Sequence, residues 1–228
     1  MTPGFSFFEI DYWEQLESDM IEMVKDSLIL LKSKLENQRE ENSINYVLNK
    51  CFLEMSRKKK LTQYGHFGKD RKPIYEAERI SYEDDLTRIK RMGKRPDFQW
   101  QLYDDNADYG STSYSVVFTV ECKRLGSKVN GRDLCSAYVT QGIVRFVKEE
   151  WSYGAGAKSG VMVGYIQSLN EKEILKNVNQ NCKKNSIGEL INNSKKQTSD
   201  IYFYLEKLSR IEIKPKDFRL FHIWVDLR

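Results

Sequence analysis

Two segments that read as β-strands, residues 96–104 (PDFQWQLYD) and 114–122 (YSVVFTVEC), bracket a stretch dense in turn formers, 105–113. The first alternates: Phe98, Trp100 and Leu102 fall on one side and Gln99, Gln101 and Tyr103 on the other, the period of a strand. The second is rich in β-branched and aromatic residues and reads as a strand buried on both faces. Antiparallel pairing symmetric about Tyr109 sets Asp97 opposite Glu121, with Cβ atoms roughly 4.5–5.5 Å apart. Lys123, two residues beyond Glu121, points to the same face. A slip of one residue would send the two acids to opposite faces. The register of this hairpin therefore decides whether two carboxylates and an ammonium share one small space.

Such a set suits a divalent cation and a phosphodiester. Hydrolysis needs a deprotonated water and neutralisation of charge on the transition state and leaving oxygen, which a bound metal ion supplies. Mg²⁺ is usually held by one or two carboxylates, waters and substrate phosphate. Asp97 and Glu121 provide the carboxylates, and the backbone carbonyl of Cys122 can add an oxygen. Mn²⁺ can take the same ligands. Lys123 is a point charge suited to orienting the attacking water or meeting developing charge. The abrupt change from Val116-Val117-Phe118-Thr119-Val120 to Glu121-Cys122-Lys123-Arg124 is unusual at the end of a buried strand unless it faces a site. The competing reading is a structural ion pair at the sheet rim.

Elsewhere the pattern predicts helices over 11–35 and about 40–58, a loop over 61–75, a charged helix or weak strand over 76–92, and a helix over 132–150. A buried strand is expected over 160–166, broken helix over 170–196 and a closing strand over 218–227. The result is an α/β fold with a mixed β-sheet flanked by helices. At 228 residues the chain reads as a single domain, 1–228, with N-terminal helices over 1–60 and a helix/strand extension over 169–228.

Net charge is only +4, so distribution matters more than the total. Arg57-Lys58-Lys59-Lys60 form one basic cluster, and Arg88, Lys90, Arg91, Lys94 and Arg95 lead into Asp97. Basic flanks beside an acidic site suit a polyanion, although such runs also occur as solvated helix ends. Cys51, Cys122, Cys135 and Cys182 form no Cys-x-x-Cys pair, which speaks against zinc ribbons and for free thiols. Two histidines, His66 and His222, are too few for a multi-histidine zinc site, and His222 reads as a packing residue. The stretch Gly154-Ala155-Gly156-Ala157-Lys158-Ser159 departs from the phosphate-loop pattern at Ala157 and Ser152 and reads as a flexible loop that can touch substrate. Tyr103, Tyr109 and Tyr114 can stack on bases. The N-terminus lacks a signal-peptide pattern and the longest apolar run is too short to span a bilayer, so a soluble, cytoplasmic protein without membrane partners is expected.

Pro96-Asp97 followed by Glu121-x-Lys123 resembles the motif of the PD-(D/E)XK nuclease superfamily, over roughly residues 38–168. The resemblance implies a restriction-endonuclease-like α-β-β-β-α-β core with the acid–acid–lysine trio on its hairpin. Asp104, Asp105 and Asp108 compete as first acid but fall at the far end of the hairpin. It further implies a glutamate on the preceding helix, Glu41 with Glu40 as competitor, and a glutamine on the following one, Gln141. Arg145 stands where exonuclease-like branches carry tyrosine, and can contact phosphate together with Lys94, Arg95 and Arg124. The implied activity is Mg²⁺-dependent cleavage of DNA, as an endonuclease in restriction, phage defence or mobile-element processing. A homodimer or a partner protein would supply specificity. The alternative is an inactive nucleic-acid-binding or scaffold protein of the same fold.

Overall fold

In the computed structural model, the residues described are 10–58, 73–76, 94–103, 115–192 and 200–228. They form a seven-stranded mixed sheet with helices on both faces. Helices α1 (Ile10–Lys34) and α2 (Glu41–Lys58) come first. Strands β1 (Ile74–Tyr75), β2 (Phe98–Tyr103) and β3 (Ser115–Leu125) follow. A helical segment then runs from α3 (Leu134–Tyr138) through a π-helical turn (Val139–Ile143) into α4 (Val144–Val147). The chain continues through β4 (Ser159–Ile166), α5 (Glu171–Lys184), β5 (Ile191–Asn192), β6 (Ile201–Ser209) and β7 (Asp217–Asp226). The sheet order is β1-β2-β3-β4-β7-β6-β5. The β3–β4 and β4–β7 pairs are parallel and the others antiparallel.

The hairpin takes the expected register: Phe98 pairs with Val120 and Trp100 with Phe118, so its continuation sets Asp97 opposite Glu121. Strand β3 does not end at Cys122, however. It runs on to Leu125 because β4 pairs with Val120–Leu125 in parallel where the pairing with β2 ends at Val120. Glu121 and Lys123 are therefore fixed in mid-strand and not at a frayed end.

Helix α2 covers one face of the hairpin. Its Phe52 meets Phe98 edge-on at 5.0 Å and Trp100 at 5.3 Å, contacts worth about 0.5–1.5 kcal/mol each beyond burial. Helix α1 packs beside it, burying Trp13, Leu16, Met20 and Val24, with the Trp13 indole N–H donating to Ser159 Oγ at 3.2 Å. The segment from α3 to α4 lies across the opposite face.

Several expectations change. Ile74–Tyr75 form strand β1 inside the expected loop. Glu171–Lys184 form one helix, α5, begun by a capping box between Asn170 and Glu173; that cap offsets the polar composition, and Ile191–Asn192, also expected to be helical, form strand β5. Strand β6 has no counterpart in the sequence reading. Its Glu206 and Lys207 interrupt the apolar alternation, yet β7 pairs along its whole length. The Gly154–Ser159 segment is anchored: Arg210 Nη1 donates to the Tyr153 and Gly154 carbonyls, each at 3.3 Å, and Ala157 is buried. Asp104, Asp105, Asp108, Tyr109, Tyr114, Arg88, Lys90 and Arg91 lie outside the described residues.

Candidate functional site

Lys123 is the centre of the site. Its ammonium is buried and lies 2.7 Å from Glu121 Oε1, 2.9 Å from Glu41 Oε1 and 3.9 Å from Asp97 Oδ2. It also donates to the Cys122 carbonyl at 2.7 Å. Thus Glu41, Asp97, Glu121 and Lys123 converge, drawn from α2, the approach to β2, and β3. Glu40 does not reach the cluster. Its side chain is 74% exposed and pairs with Arg124, whereas Glu41 Oε2 accepts from the Arg124 backbone N–H at 3.2 Å.

Asp97 is held by two donors. The Cys122 N–H donates to Oδ2 at 2.7 Å and the Asn45 amide to Oδ1 at 3.0 Å. Asn45 is fully buried and its Oδ1 accepts from the Tyr165 hydroxyl at 2.7 Å. Sequence reasoning missed this residue. The available signal was its position one turn after Glu41, which puts both on one face of α2, and its polarity inside the stripe Ile44, Val47, Leu48.

The electrostatics are uneven. Burial, and then the neighbouring Glu121 charge, raises the Asp97 carboxyl well above the ordinary carboxylate range. Burial opposes the Lys123 ammonium, but Glu121, Asp97 and Glu41 together outweigh it and raise its pKa. Three carboxylates face two cations, because Arg145 Nη1 also donates to Glu121 Oε1 at 2.5 Å. Glu121 is buried, and its second oxygen, Oε2, has no hydrogen-bond partner among the described residues.

That orphaned oxygen bears on whether the residues suit a hard cation. Asp97, Glu121 and the Cys122 carbonyl already surround one positive charge, the Lys123 ammonium, and the carboxylates keep unused lone pairs. Such an all-oxygen set fits Mg²⁺ or Mn²⁺, which retain waters and substrate oxygens. No group of three or more His, Cys, Asp and Glu side chains among the described residues forms a ready cage, and a Mg²⁺ site needs none. The thiols contribute no ligand chemistry of this kind. All four cysteines are free and buried, and burial pushes the Cys51 thiol up to about 11 and Cys122 well above its usual value.

The flanking residues are arranged as follows. Gln141 is exposed on the π-helical turn and accepts from Arg132 at 2.6 Å; no hydrogen bond joins it to the four central residues. Next to it, Gly142 packs so closely that a Cβ would lie 2.4 Å from Met162 Cε and 3.4 Å from Lys123 Cγ. Arg145 stacks on Trp151, its Cζ 4.2 Å from the ring centre, and Lys94 Nζ lies 3.9 Å from the same ring. Arg124 also donates to the Arg39 carbonyl at 3.4 Å. Arg95 is exposed.

A second polar cluster lies on the same sheet face. Glu121 pairs in register with Met162, and Met162 with His222; Lys123 pairs with Gly164, and Gly164 with Trp224. His222 and Trp224 therefore sit two strands from the site. The Trp224 N–H donates to Tyr138 Oη at 3.0 Å, and the Tyr138 hydroxyl lies 2.8 Å from His222 Nδ1. His222 Nε2 lies 3.2 Å from Glu206 Oε2. His222 is thus more than a packing residue: its ring links the Tyr138 hydroxyl to the Glu206 carboxyl.

No family model, curated protein or solved structure matches this chain. No helix among the described residues is long and apolar enough to cross a membrane.

Proposed function

We propose that the chain is a metal-dependent phosphodiester hydrolase. More narrowly, it is a Mg²⁺-dependent DNA nuclease of the PD-(D/E)XK type, with Mn²⁺ as a competent substitute. The observation that carries this reading is the convergence of Glu41, Asp97, Glu121 and Lys123 around a donor set with one unused buried carboxylate oxygen. The order helix, three antiparallel strands, helix, parallel strand from α2 to β4 supports it, since that is the core the motif resemblance implies.

Asp97, Glu121 and the Cys122 carbonyl would hold the metal. The bound ion would acidify a water and offset charge on the phosphorane. Asn45 and the Cys122 N–H orient Asp97, and Glu41 holds Lys123 beside Glu121. The Lys123 ammonium is placed to orient the attacking water and to neutralise developing charge. Lys94, Arg95, Arg124 and Arg145 flank the site for backbone phosphates. A nuclease of this kind fits restriction, phage defence or mobile-element processing, with a second copy or a partner protein setting specificity. The pairing of Arg145 with Glu121 favours one rival, a nucleic-acid-binding or scaffold protein whose acids are permanently neutralised.

Supercoiled, linear and single-stranded DNA incubated with Mg²⁺ or Mn²⁺ separates the two. The nuclease nicks or linearises the plasmid only with metal, and Asp97→Ala and Lys123→Ala each lower the rate about 10²–10³-fold. Salt-sensitive DNA binding without cleavage would favour the rival.

A further inference from the structure

Arg145 is in an unusual position. Its guanidinium makes a 2.5 Å bond to the same Glu121 oxygen that Lys123 contacts, while Glu121 Oε2 beside it goes unpartnered. Arg145 Nε is buried and has no hydrogen-bond partner. The guanidinium has five donors, and only Nη1 is committed to the cluster. A side chain built solely to neutralise Glu121 would take both carboxylate oxygens in a fork. This one takes a single oxygen and sets its Cζ over the Trp151 ring, 4.2 Å from the centroid.

The indole holds a second cation. Lys94, from the segment that leads through Arg95 and Pro96 into Asp97, brings its ammonium to the same ring. The quadrupole of the ring repays about 0.5–2 kcal/mol for each cation. Trp151 is also well anchored. The Tyr153 N–H donates to the Arg145 carbonyl at 3.1 Å, and the Tyr153 ring, fully buried, packs edge-on against both Trp151 and Phe146. Arg210 clamps the Tyr153 carbonyl from behind. The platform is therefore set by the core and does not depend on the ligand.

We propose that Arg145 is a resident counter-ion of Glu121 that the divalent cation displaces, and that the guanidinium so released, still held against Trp151 as Lys94 is, then takes a backbone phosphate of a polynucleotide. The inference rests on the nuclease reading, because it deepens the same site. It makes metal and polynucleotide binding cooperative. Without metal, Arg145 is committed to Glu121 and a phosphate must compete for it. With metal, the ion would take over the neutralisation of Glu121 and the Arg145 guanidinium would be available to phosphate.

Two binding measurements test this without turnover. The first is Mn²⁺ affinity. The second is the fluorescence anisotropy of a labelled single-stranded oligothymidylate, with and without Ca²⁺. The proteins are wild type, Arg145→Gln, Trp151→Leu and Glu121→Gln, each checked for cooperative melting. Wild type should bind the oligonucleotide about tenfold more tightly with Ca²⁺. Arg145→Gln should move the two affinities in opposite directions: Mn²⁺ tighter, because no guanidinium competes, and oligonucleotide weaker and insensitive to Ca²⁺. Trp151→Leu should keep Mn²⁺ affinity and lose the Ca²⁺-dependent gain. A merely structural Arg145 would weaken both ligands together, and that result overturns the proposal. Glu121-dependent Mn²⁺ binding that Arg145→Gln leaves unchanged overturns this inference alone. A folded wild type that binds no Mn²⁺ overturns the nuclease reading with it.

Discussion

Two buried polar clusters share one face of the sheet, separated only by Met162 and Gly164 of β4, and they are built to opposite ends. Each leaves one carboxylate oxygen without a partner, Glu121 Oε2 in one and Glu206 Oε1 in the other. Around Glu206 the hydrogen-bonded groups are sealed: His222 and Glu206 side chains are 0% exposed, and Tyr138 and Trp224, both buried, extend the network. Around Glu121 the cluster opens outward, since the Asp97 and Glu41 side chains remain 16% and 21% exposed, and it carries an excess of acid. An unpartnered oxygen in a sealed network is a cost of folding. The Glu121 oxygen belongs instead to a cluster whose other acids, Asp97 and Glu41, reach the surface, and it is there that the proposed metal would bind. The comparison teaches that accessibility and charge balance, more than burial of polar groups, distinguish a site from a structural network.

The largest effect should come from breaking the sealed network. His222→Leu removes the side-chain partner that Glu206 has among the described residues and should lower unfolding free energy by about 3–5 kcal/mol, read from the urea midpoint at unchanged slope. Adding Glu206→Leu should recover most of the loss, because an apolar pair carries no desolvation cost. Mn²⁺ affinity should survive in the double variant. If it falls instead, the two clusters are coupled and the contrast between them is wrong.

A divalent ion should stabilise the open cluster. At a concentration roughly a hundredfold above its dissociation constant, the gain in the melting experiment is about 2.7 kcal/mol, absent in Asp97→Asn. The pH dependence follows from the raised Asp97 pKa. In the metal-free protein the folded state binds this proton more tightly than the unfolded chain. That contribution to stability is complete below the unfolded carboxylate value and is lost as pH rises through the folded value. The metal must displace the same proton, so its stabilisation grows with pH over that interval and shrinks as the solution is acidified. A metal effect independent of pH there would remove Asp97 from the ligand set.

The smallest expected effect sharpens the boundary. Gly164 lies between Lys123 and Trp224, and a Cβ there would come within 2.4 Å of both Leu125 Cδ1 and Trp224 Cδ1. Gly164→Ala should cost about 1–3 kcal/mol through displaced side chains. The displacement should appear as a changed Trp224 environment in near-ultraviolet dichroism, with Lys123 still paired.

Much of this arrangement was legible in the sequence, because strand periodicity is rigid. The alternation of Phe98, Trp100 and Leu102 and the apolar run before Glu121 fixed a register in which two acids must meet, and β2 and β3 pair accordingly. The motif resemblance, not periodicity, pointed to Glu41, with Glu40 as competitor, and Glu41 is the one that reaches Lys123. What stayed hidden depended on contacts distant in sequence. Strand β6 owes its existence to pairing with β7, and its Glu206 is tolerable inside only because His222 faces it. Asn45 acquires meaning only once Asp97 and Tyr165 arrive from other elements. Trp151 gave no periodic signal at all, since it lies in a turn and its partners, Lys94 and Arg145, come from either side of the site.

The most direct test of the central claim is the number of Mn²⁺ ions bound per chain, measured by loss of the free-ion electron paramagnetic resonance signal, in wild type, Asp97→Ala and Glu121→Ala. The account predicts saturable binding by the wild type that each substitution abolishes while the fold persists. Binding that survives both substitutions, or a folded wild type that binds none, would contradict it and leave the cluster a structural ion network.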